Sequence, residues 1–85
     1  MKNNKKYIYQ IIKEYLIYQC KKKKIKINFN LEKVDFIQKE IIDSLSFLSL
    51  ISLVEKKIKK EIDLSNENPN KLTKLKSLSQ IISKK

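Results

Sequence analysis

From Tyr7 to Gln19 apolar side chains recur three and four positions apart, so that Ile8, Ile11, Ile12, Tyr15 and Leu16 share one face of a helix expected over residues 7–19. A stripe of this kind is stable only when something covers it, and two later segments supply cover. Phe47, Leu50, Ile51, Val54 and Ile58 fall on one stripe at about 100° per residue, in a helix expected over 43–60. That helix should start at Asp43 or Ser44, both good N-cap types. Leu78, Ile81 and Ile82 make a third stripe over 77–83, with Ser77 as its expected cap and Lys84 and Lys85 at its end. Ahead of it, the polar stretch 65–70 contains the only proline, Pro69, which should break regular structure before a short helix or turn at 71–75. The expected fold is all-α: one domain over 1–85, a bundle of three main helices with a short helix or turn before the last.

A long connection, residues 20–42, separates the first two helices. The lysine run 21–24 should end the first of them, because adjacent like charges repel and cations suit a helix C-terminus. Ile25, Ile27, Phe29 and Leu31 then alternate with polar residues in the manner of a strand. With no second strand to pair with, the segment reads as an extended loop pinned by apolar anchors, continued by Val34, Phe36 and Ile37. A loop of this length in a small domain is usually functional.

At 85 residues the chain has room for one modest core and little apolar surface to spare for a deep catalytic cleft. It has no histidine, a single cysteine (Cys20) and no acidic cluster spaced for zinc or calcium, which argues against metal and Cys/His catalysis. Cys20 reads as an inert thiol. No apolar run approaches the roughly 20 residues of a membrane span, and the lysine-rich start lacks the apolar region of a secretory signal. Cytoplasm is the expected compartment.

The formal charge of +11 raises nucleic acid and anionic membranes as partners. All 20 basic residues are lysine, however, so the planar fork that reads guanine or clamps phosphate is missing, and no specific nucleic-acid recognition is expected. The wealth of Lys, Ile and Asn also fits compositional drift on solvated faces. Tyr7, Tyr9 and Tyr18 can stack on bases, yet tyrosines more often lie with the ring on the core edge and the hydroxyl in water. A basic helical nucleic-acid-binding protein is the alternative reading, and a membrane-surface helix a third.

Opposite the core stripe of the second helix lie Leu45, Leu48, Ser49, Ser52 and Lys56. Two leucines that the core does not need mark a docking surface.

The run Ile41-Ile42-Asp43-Ser44-Leu45, the following helix through Glu61-Ile62, and then Asn68-Pro69-Asn70 and a short last helix resemble the phosphopantetheine-binding carrier family, of which acyl carrier proteins are the type. The likeness extends over about residues 36–82 and centres on the Asp-Ser-Leu triplet. It implies an acyl-carrier-type bundle in which Ser44 is the attachment point of a 4'-phosphopantetheine arm. The Ser44 hydroxyl would attack the pyrophosphate of coenzyme A inside a separate phosphopantetheinyl transferase, with Asp43 helping to place magnesium. It further implies that Leu45 and Leu48 face partners, and that the chain is a monomer, not itself an enzyme. Its other partners would be an acyl- or aminoacyl-loading ligase and downstream transferases. Two features depart from the family pattern. Lys39, Glu40 and Ile41 stand where a glycine is common, and Lys56, Lys57, Lys59 and Lys60 stand on a helix that is acidic in many relatives. The Ile-Ile-Asp-Ser-Leu form is closer to carriers served by dedicated ligases. A serine at a helix start also suits a tethered phosphate electrostatically, and no histidine or glycine-bounded elbow is present to make it a hydrolase nucleophile. The bland reading is that Ser44 is only an N-cap.

Overall fold

The structure, a computed structural model, describes residues 4–85; residues 1–3 of the expected 1–85 domain lie outside the described residues. It is all-α, with helices α1 (Lys5–Lys23), α2 (Ser44–Ile58), α3 (Pro69–Leu72) and α4 (Leu75–Ser83). Among the described residues there is no strand, only an isolated antiparallel bridge between Asp35 and Lys74.

Helix α1 is longer than its apolar stripe at both ends. It starts early because Asn4 Oδ1 accepts from the amides of Lys6 at 2.7 Å and Tyr7 at 3.3 Å, a side-chain cap that precedes the first apolar residue. It ends late because Lys21, Lys22 and Lys23 complete the last turn, where exposed cations meet the negative end of the helix dipole. The helix thus ends within the lysine run, as expected, but only after its first three lysines, and Cys20 lies within it and not in the loop. Termination comes at Lys24, whose backbone is left-handed (φ 60°), with the Ile25 amide donating to the Cys20 carbonyl at 2.8 Å. Helix α2 stops the same way: Lys59 is left-handed (φ 57°) and the Lys60 amide donates to the Glu55 carbonyl at 3.2 Å. The chain has no glycine, so lysines take these positions, at roughly 1 kcal/mol or more each.

The last two elements begin earlier than expected. Pro69 is the first residue of α3, its missing N–H harmless there, with Asn68 Oδ1 accepting from the Asn70 amide at 3.0 Å. Helix α4 begins at Leu75. Ser77, expected as its cap, lies inside it and donates to the Lys71 carbonyl at 2.6 Å. Leu75 takes precedence over the polar capping residue because it is fully buried and draws the start of α4 onto the core.

One core joins all the main helices. Ile8, Ile12, Leu16 and Cys20 of α1 meet Leu50, Val54 and Ile58 of α2, Leu75, Leu78 and Ile82 of α4, and Phe36, Ile41 and Ile42 of the long loop. Helix α1 is the shared wall, packed against both α2 and α4. The radius of gyration, 12.1 Å, is that of a compact chain of this length, about 12 Å, so the loop is folded onto the helices. Its anchors are Leu31 and Phe36, both buried, with Ile25, Phe29, Val34 and Ile37 packed alongside. Ile27, expected as an anchor, is 44% exposed, because a segment with no sheet to lie in keeps no strict period of two. Phe47 sits at the edge of the core, its ring stacked on Phe36 at 6.3 Å between centroids.

No helix among the described residues is long and apolar enough to cross a membrane.

Candidate functional site

The start of α2 is held from three directions. From behind, Ile41 and Ile42 are buried, and their amides donate to the Phe36 carbonyl at 3.0 and 3.2 Å, closing a turn whose left-handed residue is Glu40 (φ 62°). From α1, the half-buried Tyr15 hydroxyl donates to the Ser46 carbonyl at 3.3 Å. Within α2 itself, Asp43 is the N-cap: its Oδ1 accepts from the Ser46 amide at 2.8 Å, and its carbonyl accepts from the Phe47 amide at 2.9 Å. The hydrogen bond from the Ser46 amide, followed by one from the Ser46 side chain and the nearby Lys23 charge, holds the Asp43 carboxyl below the usual aspartate range. It is ionised at neutral pH.

Ser44 is thus the first residue of the helix and is exposed. Capping falls to Asp43, so the fold does not need the Ser44 hydroxyl as a cap. Ser44 borders two clefts. One, of about 230 Å³, is lined by Ile37, Phe47, Pro69, Leu72 and Thr73 and is chiefly apolar. The other, of about 650 Å³, is mixed: it runs past Asp43 to Glu40, Lys23 and Lys39 and is lined as well by Ile25, Ile37 and Ile42. Both of its lysines have other neighbours: Lys23 Nζ donates to the Glu40 carbonyl at 3.4 Å, and Lys39 Nζ lies 4.7 Å from the centre of the Phe29 ring.

The far wall of the apolar cleft depends on a residue that sequence reasoning missed. Asp35 Oδ1 accepts from the amides of Ile37 at 3.0 Å and Gln38 at 2.9 Å, while Oδ2 accepts from the Thr73 hydroxyl at 2.7 Å. The Phe36 amide donates to the Thr73 carbonyl at 2.8 Å. One carboxylate therefore shapes the loop turn and ties it to the junction of α3 and α4. Partial burial pushes the Asp35 carboxyl up, but the donors at Gln38, Thr73 and Ile37, with the Lys74 charge, outweigh it and leave the group below the usual range. The only local signal was an aspartate followed by two apolar residues, as at a capped turn; its partner 38 positions away left none.

The expected docking residues share the open side of α2. Leu45 is 75% and Leu48 63% exposed, and Ser49, Ser52 and Lys56 are exposed with them. On the inward side Leu50, Ile51, Val54 and Ile58 are buried. Cys20 is buried, which pushes its thiol up and makes it a poor nucleophile. Among the described residues no three Cys, Asp or Glu side chains gather as metal ligands.

No protein-family model, curated protein or solved structure matches the chain.

Proposed function

We propose that the chain is a carrier protein of the acyl carrier type, built as an acyl-carrier-type bundle, in which Ser44 bears a 4'-phosphopantetheine arm derived from coenzyme A. The carrying observation is that Ser44 is exposed as the first residue of α2 while Asp43 does the capping, which frees the serine for modification. The arm supplies a thiol that holds an acyl or aminoacyl group as a thioester; the chain supplies the place and the surface. Ser44 offers its hydroxyl at a helix start, where first-turn amides and the helix dipole favour a phosphodiester. Ile37, Phe47, Pro69 and Leu72 line an apolar cleft beside it that suits the methyl and methylene parts of an arm. Asp43, ionised, would help hold magnesium during attachment. Leu45, Leu48, Ser49, Ser52 and Lys56 face the phosphopantetheinyl transferase, the loading ligase and downstream transferases. The chain has no histidine to serve as general base and the Asp43 carboxylate is engaged with the Ser46 amide, so attachment falls to an outside enzyme.

The test is incubation with coenzyme A and a broad-specificity phosphopantetheinyl transferase, read by intact mass. One arm per chain is expected on the native protein and none on Ser44→Ala. The variant should melt within about 0.5 kcal/mol of the native protein, because Asp43 keeps the cap. Label on the alanine variant, or none on the native chain, ends the assignment.

A further inference from the structure

The open side of α2 changes character along its length. Leu45 and Leu48 stand beside Ser44, Ser49 and Ser52 follow, and Lys56 closes the stripe, with Lys59 exposed just past the helix end. No acid shares that stripe. Glu55, the one carboxylate within α2, turns to the polypeptide: its Oε2 accepts from the partly buried Ile62 amide at 2.7 Å. Lys60 is engaged too, its Nζ donating to the Lys85 carbonyl, and Lys57 points to the groove between α1 and α2 that Tyr18, Glu14 and Leu53 also line. The ammonium groups of Lys56 and Lys59 are left with neither a hydrogen bond nor an ion pair to a described residue, and both residues are exposed.

We infer that the proteins docking on α2 present an apolar pocket beside the serine entrance and an acidic patch further along. The spacing follows from the helix: the eleven steps from Leu45 to Lys56 put the two contacts about 16 Å apart. Exposed cations of this kind add little to stability, yet they steer encounter and set which partner surfaces are accepted. A membrane is the poorer occupant. An interfacial helix needs a broad apolar face, whereas here two leucines sit at one end of a stripe whose middle is serine. A nucleic acid finds no aromatic residue on this stripe to stack a base.

The inference rests on the carrier reading, and loading kinetics separate the two. The probe is the phosphopantetheinyl transferase of the same host, with coenzyme A at low salt. Lys56→Glu combined with Lys59→Asp reverses the charge while keeping a residue that tolerates the left-handed backbone at position 59. KM for the carrier should rise on the order of tenfold with kcat little changed. The neutral pair Lys56→Gln and Lys59→Asn, gentler on the helix end, should show a rise of about threefold. Raising salt from about 0.05 to about 0.5 M should slow the native chain and narrow both gaps. Equal KM values for native and charge-reversed chains, with Ser44 still labelled, overturn the acidic partner and leave the carrier standing. Absence of label on the native chain overturns both. Unchanged loading, coupled with loss of sedimentation on phosphatidylserine vesicles in the charge-reversed chain, assigns the lysines to a membrane and overturns the protein partner.

Discussion

The two sides of α2 are made from the same residue type and do opposite things. Leu50 is fully buried in the core that α2 shares with α1, α4 and the loop, whereas Leu48, two positions earlier, is 63% exposed beside Ser44. The difference is one of angle: two steps of about 100° carry a side chain from one side of a helix most of the way to the other. A leucine's chemistry therefore says little until its phase is known. The inward leucine supports the fold through burial, and the outward one is available to a partner.

Leu50→Ala tests the inward side and carries the largest expected effect, a loss of about 2 to 5 kcal/mol from lost burial and a residual cavity. In so small a domain that approaches the whole stability, and a thermal or urea melt will show it. A silent Leu50→Ala means the wrong side of α2 has been taken as core.

Asp35→Asn probes how the open side is framed from the loop. It removes a charged acceptor from three hydrogen bonds and should cost about 1 to 2 kcal/mol. The pH dependence has a definite sign. The Asp35 carboxyl is held below its unfolded value of 3.8, so its contribution is complete above that value and is lost as pH falls through the lower, folded one. Melting temperatures of the native chain should drop below about pH 4, and Asp35→Asn should flatten that drop. An identical acid profile in the variant removes Asp35 from the frame.

Lys59→Gly acts where the two sides of α2 end together. Glycine relieves the left-handed strain at φ 57° but adds freedom to the unfolded chain, for a net gain of about 0.5 kcal/mol or slightly more. A loss of stability in urea melts instead would mean that Lys59 holds the helix end by a contact.

Leu48→Ala has the smallest expected effect on folding, within about 0.5 kcal/mol. Its consequence belongs to partners: attachment of the arm should slow because an apolar docking contact is gone. Paired with Leu50→Ala, it decides the comparison. Should Leu48→Ala unfold the chain while Leu50→Ala is silent, or leave both folding and loading unchanged, the docking side is lost.

The part of the candidate site that was legible is the part encoded within a few residues. Asp43 and Ser44 announced a helix start by type, and the spacing of five apolar residues after them fixed which side of α2 is core. The neighbours of Ser44 were less readable. The apolar cleft beside it joins Ile37 to Leu72 and Thr73, and the aspartate that ties the loop to Thr73 bridges 38 positions.

The same division runs through the whole chain. Sequence by itself determined that the protein is helical and which faces of α1 and α2 turn inward, because a period of 3.6 is a local property repeated every turn. Tertiary structure decided where helices stop and what the loop buries. Lysines stand at two left-handed ends with no glycine to mark them, Pro69 opens a helix when Asn68 caps it, and Leu75 pulls α4 two residues ahead of its expected serine cap. Phe36 becomes the largest fully buried side chain because Phe47 and the α3–α4 junction close over it, and Ile27, of the same apolar character, is left in water. Each of these outcomes weighs a local preference of about 1 kcal/mol against burial worth more, and burial is settled only when distant parts of the chain meet.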